Sequence, residues 1–254
     1  MHFASLLPDV ITIAEAASKK VLDIYHTDFK VEFKADNSPL TAADMAAHQI
    51  IVDGLGQLTP DIPILSEESA SAPWAERKHW YRFWLVDPID GTREFTNRTG
   101  EFTVNIALIE QGVPILGVIT VPALGEVYWG AKGEGASKRD KAGRAHRLNV
   151  VVPSAIKRVV ASKNHMNSET EAFIETLGEH RLVQAGSSLK FCKIAEGHAD
   201  IYPRLGPTCE WDTGAAHAIL SAAGGKVETL DRKPLRYGKE DVLNPHFVAS
   251  GKWY

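Results

Sequence analysis

One segment constrains the fold more than any other: residues 84–92, with the sequence WLVDPIDGT. The apolar and branched residues at its start predict a buried strand that ends at Asp87, and Asp90 follows after a proline. The Gly91-Thr92 step can then open a helix, whose free amides favour an anion. The segment therefore predicts a strand, a tight turn and a helix start, with two carboxylates converging on one point.

Carboxylates that converge at a strand end are typical of a site for a hard cation with oxygen ligands. A D-x-x-D pattern alone is more often an Asx-turn with solvated carboxylates. Three further acidic elements occur, and each has an ordinary structural explanation. Ser66-Glu67-Glu68 can be a polar loop, Glu210-Trp211-Asp212 a helix N-cap, and Thr41 to Asp44 a capping box. Together these carboxylates at strand ends and helix starts favour a site with paired metal ions.

Hydrophobic periodicity predicts alternating helices and strands along the chain. The predicted helices are Leu6–Tyr25, Thr41–Leu55 (ended by Gly54 and Gly56), Ser168–Leu177, Ser188–Glu196 and Asp212–Ala223. The predicted strands are Ile62–Leu65, Arg82–Val86, Phe102–Glu110, Pro114–Val121, Glu126–Gly130, Val150–Val152, Val159–Ala161, Arg181–Gln184 and Ala199–Tyr202.

The order of these elements predicts an α/β (α+β) protein with two tightly packed subdomains. Residues 1–148 should form helices against a largely antiparallel sheet, since short turns join their strands. The glycine- and charge-rich stretch from Lys132 to Arg147 indicates a surface excursion. Residues 149–254 alternate strand and helix, which is typical of an α/β layer.

Composition excludes several classes of function. The chain has 254 residues and a net charge of −4, which argues against a nucleic-acid-binding protein. Two cysteines and no secretory signal predict a reducing cytoplasm. The most apolar stretch, Val113–Leu124, is too short to span a bilayer. The glycines at 130, 133 and 135 fit neither a dinucleotide fingerprint nor a P-loop.

The acidic motifs resemble the three signatures of the inositol monophosphatase superfamily. They are Glu67, the run Asp87 to Thr92, and Trp211-Asp212 with the small residues after it. Markers of its 3′(2′),5′-bisphosphate nucleotidase branch are residues 34–44, Asn105, Gly186 to Cys192 and Tyr202-Pro203-Arg204. The resemblance covers the chain from Ala14 to about Phe247. It implies a layered αβαβα sandwich and a lithium-sensitive phosphatase that depends on two or more Mg²⁺ ions.

The resemblance also implies a role for each acidic residue. Glu67, Asp87 and the main-chain carbonyl of Ile89 would hold one Mg²⁺, and Asp87, Asp90 and Asp212 would hold a second. Asp44 and Thr92, with Glu67 beside them, would form the catalytic group that takes a proton from the attacking water. The donor chemistry agrees, because Mg²⁺ prefers carboxylate and carbonyl oxygens.

Substrate contacts carried over from the family are Gly91, Thr92, His165, Ser187, Lys190, Arg204 and Asp212. Ser187 and Lys190 are three residues apart at a helix start and can share one face. Arg204 offers a bidentate fork suited to a second phosphate. The ordinary alternatives are a helix cap for Ser187, a solvated charge for Lys190, a surface ion pair for Arg204 and a loop histidine for His165.

The function expected from this resemblance is hydrolysis of the 3′-phosphate of 3′-phosphoadenosine 5′-phosphate to AMP, which clears a by-product of sulfate assimilation. The alternative within the same fold is an inositol or sugar monophosphatase, and a non-catalytic sensor is the alternative outside catalysis. The expected partner is the small adenosine bisphosphate, with no nucleic acid and no stable protein partner. A monomer or homodimer is expected in the cytoplasm, or at the cytoplasmic face of the inner membrane.

Overall fold

Helices and β-sheets alternate in layers through the molecule. The computed structural model describes residues 3–33, 39–69, 72–153, 155–161 and 166–252. A short 3-10 helix, Phe3–Leu6, leads into the first α-helix. The α-helices of the described residues are α1 (Leu7–Tyr25), α2 (Ala42–Leu58), α3 (Trp74–Arg77), α4 (Thr92–Thr96), α5 (Ser168–Glu175), α6 (Leu189–Ala195) and α7 (Glu210–Ala222).

The strands of the described residues form two large sheets and one hairpin. They are β1 (Val31–Phe33), β2 (Pro39–Thr41), β3 (Ile64–Ser66), β4 (Arg82–Asp90), β5 (Thr103–Glu110), β6 (Val113–Val121), β7 (Glu126–Ala131), β8 (Gly135–Arg139), β9 (Ala145–Leu148), β10 (Lys157–Ala161), β11 (His180–Gln184), β12 (Ile201–Arg204), β13 (Lys226–Thr229) and β14 (Phe247–Ser250). Strands β3 to β9 form the first sheet in sequence order, and β1 pairs with β2. The second sheet has the order β11-β10-β12-β14-β13.

The first sheet is antiparallel except where β3 runs parallel to β4. Helices α1 and α2 pack together on one of its faces, over a core that includes Val10, Ile51 and Trp84. Helices α6 and α7 lie between the two sheets, and α7 contacts β5 and β6. Their core joins residues of both sheets, for example Leu85 from β4 and Phe247 from β14.

The second sheet is mixed, because β10 runs parallel to β11 and β12 while β12, β14 and β13 are antiparallel. Helix α5 covers its outer face, where Ile174 of the helix packs against Val159 and Ile201 of the sheet. The layers therefore run α, β, α, β, α, which confirms the predicted fold class. The boundary near residue 148 stays a prediction.

The side-chain alternation of β4 aims its first carboxylate at the middle layer. Phe83 and Leu85 pack into the core shared with α7, whereas Trp84 and Val86 face α1 and α2. Successive side chains of a strand point to opposite faces, so Asp87 continues the row that faces α7. Helix α7 approaches closely, because a Cβ added at Gly214 would lie 2.8 Å from Leu85.

Four predictions about local structure are wrong. Helix α2 runs through both glycines to Leu58, because neither occupies a positive-φ cap. The stretch 132–147 forms β8 and β9 and extends the sheet. Residues 150–152 form no strand. The register of β4 shifts between Asp87 and Asp90, so the proline lies in a bulge and the strand continues to Asp90.

No helix of the described residues is both long and apolar enough to cross a membrane.

We expect Gly117→Ala to destabilise the protein by several kcal/mol, because a Cβ at this position in β6 would lie 2.3 Å from the Ala215 carbonyl oxygen of α7. Gly56→Ala is the matched control: it lies inside α2 with no atom within 4 Å of the added Cβ, and it should stabilise by about 0.5–1 kcal/mol. Urea unfolding measures both. Equal stability of the Gly117→Ala variant and the parent would contradict this packing.

Candidate active site

Asp87 and Asp90 lie at the end of β4, as the sequence predicts. Asp87 is buried, and its Oδ1 accepts a hydrogen bond from the amide of Ile89 at 3.0 Å. Asp90 is partly exposed, and its Oδ2 accepts the amide of Ser188 at 2.7 Å and the hydroxyl of Ser187. The bulge in β4 lies between these two aspartates.

Ser187 adopts a left-handed backbone conformation with φ +50°, which is unusual for a residue with a Cβ. Its hydroxyl also lies 2.7 Å from that of Thr103, and the hydroxyl of Ser188 donates to Asn105 Oδ1 at 3.0 Å. This buried polar cluster joins β5 to the turn before α6 and fixes the side chain of Asp90. Ser187 precedes the helix, so it shares no helical face with Lys190.

Asp212 lies in the first turn of α7. It is the third helical residue, and its Oδ2 accepts the amide of Cys209 at 2.9 Å in a capping box. Asp44 occupies the same position in α2, where its Oδ2 accepts the amide and the hydroxyl of Thr41, both at 2.7 Å. Each cap uses one carboxylate oxygen, and no described hydrogen bond uses the other. The structural and functional explanations of these motifs are therefore compatible.

Glu67 follows β3 directly, at the start of a short 3-10 helix. Because β3 is parallel to β4 and pairs Ser66 with Val86, Glu67 emerges beside Asp87. The two side chains share a hydrogen bond. Strand pairing thus brings together acids that are far apart in sequence.

Mutual repulsion shows that these carboxylates form one cluster. Burial, then the charges of Glu67, Asp90 and Asp212, raise the pKa of Asp87 well above its ordinary value. Burial and the charge of Asp90 raise the pKa of Asp212. Burial also raises the pKa of Asp44 to about 6, against the opposing hydrogen bonds from Thr41. An excess of negative charge at a partly buried site is the condition that a divalent ion relieves.

The donor set fits a hard divalent cation in its chemistry. Among the residues that the structure describes, no three Asp, Glu, His or Cys side chains yet stand close enough together to hold one. Backbone amides hold one oxygen each of Asp87, Asp90 and Asp212. Glu67, Asp87, Asp90 and Asp212 are the candidate ligand side chains. Their assignment stays a prediction.

Thr92 opens α4, and its hydroxyl donates to the Ile89 carbonyl at 3.2 Å. Helix α4 packs against β2, which ends at Thr41 beside Asp44. Within the described residues, no hydrogen bond joins Thr92 to Asp44. Gly91, just before the helix, has φ +88°, and a Cβ there would lie 3.2 Å from Glu94 and 3.4 Å from Ser187. Glycine therefore leaves the backbone open to the cavity described next.

A cavity of about 210 Å³ opens over this turn and brings acidic and basic side chains together. Its charged and polar lining includes Asp90, Arg93, Glu94, Ser187, Lys190, Arg204, Thr208 and Asp212. Gly91 and Thr92 also line it. The structure thus places six of the predicted substrate contacts at one cavity. The seventh, His165, lies outside the described residues.

The two cations of the cavity are held differently. Lys190 is buried in α6, and its ammonium lies 5.5 Å from the centre of the Tyr202 ring. Burial lowers the pKa of Lys190 to about 8, against the attraction of Asp90. Arg204 donates from Nη2 to the Pro207 carbonyl at 2.8 Å, while its Nε is buried and has no hydrogen-bond partner among the described residues. A buried donor without a partner favours an anionic ligand here.

Sequence reasoning missed Arg93, Glu94 and Thr208 as cavity residues. Arg93 and Glu94 directly follow the D-P-x-D-G-T run. Their position beside the motif could have indicated that they line the site. Thr208 lies in the short loop between β12 and α7, where no sequence pattern indicated a cavity residue.

Comparison with known proteins identifies relatives over nearly the whole length. The model of the inositol monophosphatase family matches residues 5–253. The chain is 47% identical to the 3′(2′),5′-bisphosphate nucleotidase CysQ of Escherichia coli K12 over 248 residues, which is 96% of this chain and 99% of that protein. It is 34% identical to the protein of the same name from Haemophilus influenzae over 249 residues, covering 97% and 93% of the two chains.

Solved structures share the fold. The crystal structure of CysQ from Bacteroides thetaiotaomicron is 43% identical, with a TM-score of 0.88 over 99% of this chain and 98% of that one. The inositol monophosphatase of Anabaena is 25% identical, with a TM-score of 0.78 over 98% and 92% of the two chains.

We expect Ser187→Gly to be more stable than Ser187→Ala by about 1 kcal/mol, since both lose the hydrogen bond to Asp90 but only glycine adopts the left-handed conformation freely. Chemical denaturation of the two variants measures this difference. An alanine variant as stable as the glycine variant would contradict the backbone geometry.

Proposed function

The chain belongs to the inositol monophosphatase family, and we propose on that basis that it is a 3′(2′),5′-bisphosphate nucleotidase. The reaction is hydrolysis of the 3′-phosphate of 3′-phosphoadenosine 5′-phosphate to give AMP and phosphate. This activity would clear a by-product of sulfate assimilation from the cell.

One observation carries the choice of substrate: a single cavity joins the carboxylates Asp90 and Asp212 to the cations Lys190 and Arg204. A phosphate at the acidic end requires metal ions, because carboxylates repel it. A second phosphate would meet Lys190 and the Nε of Arg204, which no described residue hydrogen-bonds. A substrate with two phosphates can engage both the carboxylate side, through metal ions, and the cations, whereas a monophosphate engages only one of them.

The cofactor that we propose is Mg²⁺. Glu67, Asp87 and the Ile89 carbonyl would hold one ion, and Asp87, Asp90 and Asp212 a second. When bound, Mg²⁺ lowers the pKa of a coordinated water and neutralises charge on the transferred phosphoryl group. Hydrogen bonds to Asp87, Asp90 and Asp212 leave other carboxylate oxygens as candidate ligands.

Asp44 is the group that we propose as the proton acceptor, acting through the hydroxyl of Thr92. Thr41 holds Asp44 Oδ2, so Oδ1 is the oxygen available to Thr92. A pKa of about 6 lets this carboxylate accept a proton near neutral pH and release it again. Glu67 lies close enough to Asp44 to raise that pKa by its charge.

Phosphate release from two substrates tests the proposal. The protein should hydrolyse 3′-phosphoadenosine 5′-phosphate with a kcat/KM at least about tenfold above that for inositol 1-phosphate, because only the former uses both ends of the cavity. Removing Mg²⁺ with a chelator should stop the reaction, and Li⁺ should inhibit it. Preference for inositol 1-phosphate would favour the alternative, an inositol or sugar monophosphatase.

Asp87→Asn and Asp212→Asn should each lower kcat on the order of 10³-fold or more, because each removes charge that the metal site needs. The control is Asp231→Asn, because Asp231 is an exposed carboxylate in the turn after β13. This variant should keep full activity. Circular dichroism checks that all three are folded. Full activity in either site variant would overturn the ligand assignment.

Lys190→Gln should raise KM for 3′-phosphoadenosine 5′-phosphate about tenfold or more, with little change for inositol 1-phosphate, since a charge-assisted bond to the second phosphate is lost. Lys193→Gln, in the same helix but paired with Glu196, is the matched control. Steady-state kinetics with both substrates give the comparison. Equal effects on the two substrates would contradict the role of Lys190.

A further inference from the structure

A second cavity, of about 450 Å³, lies away from the carboxylate cluster. It is bounded by the start of β6, the β7–β8 hairpin, β9 and the second half of α7. Its polar lining consists of Lys132, Arg147, His217 and Ser221, and the remainder is glycine and small apolar residues. The glycine-rich stretch that matched no known phosphate loop forms one wall.

Its two cations have no acidic partner among the described residues. Lys132 and Arg147 are both exposed, and neither side chain makes an ion pair or a hydrogen bond there. The acid of the same hairpin, Glu134, does not line the cavity. Two unpaired positive charges at one cavity of a protein with net charge −4 favour an anion.

The glycine at position 135 makes room for the guanidinium of Arg147. A Cβ added to Gly135 would lie 1.9 Å from Arg147 Nη2, and its φ of +78° also disfavours a side chain. The cation therefore lies directly against the hairpin backbone. An alanine at this position would displace it.

His217 forms the buried floor of the cavity, with 7% of its surface exposed. Its Nδ1 lies 3.0 Å from the Tyr237 hydroxyl, which donates to Thr213 Oγ1 at 3.2 Å. Thr213 in turn donates to the Glu210 carbonyl. Since each hydroxyl has one hydrogen, this order makes Nδ1 of His217 the donor to Tyr237.

The second ring nitrogen of His217 is therefore an acceptor. Nε2 has no described hydrogen-bond partner, and the ring lines the cavity. Burial lowers the pKa of His217 to about 3, which keeps the ring neutral at physiological pH. A ligand at this floor must offer a hydrogen-bond donor as well as negative charge.

We propose that this cavity is a second ligand site, for a phosphate that carries a hydroxyl group: hydrogen phosphate itself or a polyol phosphate monoester. Lys132 and Arg147 bind the phosphate oxygens, and the hydroxyl donates to His217 Nε2. Hydrogen phosphate keeps one P–OH at neutral pH, whereas sulfate has the same shape and charge but no hydrogen to donate. The site does not depend on the proposed enzymatic function.

Calorimetric titration of the full-length protein with phosphate, sulfate and glycerol 3-phosphate tests the proposal. The titrations are made in the presence of a chelator, because the metal-free carboxylate cluster of the first cavity repels anions. They are then repeated with Mg²⁺. Phosphate or glycerol 3-phosphate should bind about tenfold more tightly than sulfate, because sulfate leaves His217 Nε2 without a donor. The tighter of the two identifies the occupant.

Variants assign the binding to this cavity. Lys132→Gln and Arg147→Gln should each weaken phosphate binding about tenfold, and Gly135→Ala should weaken it by displacing Arg147. His217→Leu should reduce the affinity for phosphate to that for sulfate. Lys141→Gln, an exposed lysine in the β8–β9 turn, is the matched control and should change nothing. The surface variants keep the test valid if His217→Leu fails to fold.

Three results would overturn the proposal. The first is no saturable phosphate binding in the chelator, or equal affinity for phosphate and sulfate. The second is loss of binding in Lys190→Gln with no loss in Arg147→Gln, which would place the phosphate in the first cavity. The third is equal weakening by Lys141→Gln and Arg147→Gln, which would indicate unspecific attraction.

Discussion

Repulsion among the carboxylates at the end of β4 and the start of α7 is the physical constraint on which the site depends. Asp87, Asp90 and Asp212 each have one oxygen held by a protein donor, so their carboxylates stay together although their charges oppose it. Burial and the charges of their neighbours raise the pKa of both Asp87 and Asp212. A cation bound among these carboxylates would relieve their repulsion. It would therefore stabilise the folded protein as well as serve the chemistry.

The layers of the fold supply those donors from distant parts of the chain. Strand β4 carries two of the aspartates, and α7 delivers Asp212 from the middle layer between the sheets. The turn before α6 contributes Ser187 and Ser188, which reach Asp90. Close packing of α7 on β4 and β6 therefore sets the position of the site, and the same helix separates it from the second cavity.

Local chemistry made much of the site predictable from sequence. The capping box that contains Asp44 and the turn after β4 follow from residue type and spacing. Asp212 differs, because the N-cap of α7 is Cys209 and Asp212 is the third helical residue. Contacts between distant elements leave no such pattern in the sequence. Ser187 adopts its left-handed conformation beside Asp90, which is far away in the chain. Strands β8 and β9 form because they pair with β7 and with each other. The glycines inside α2 misled because their helical context outweighed their intrinsic preference.

A crystal structure of the protein with 3′-phosphoadenosine 5′-phosphate and an inhibitory divalent cation tests the central claim most directly. We expect the 3′-phosphate beside Asp90 and Asp212, with the cation between them, and the 5′-phosphate bound by Lys190 and Arg204. A nucleotide whose second phosphate points to solvent, with both cations unengaged, would contradict the account.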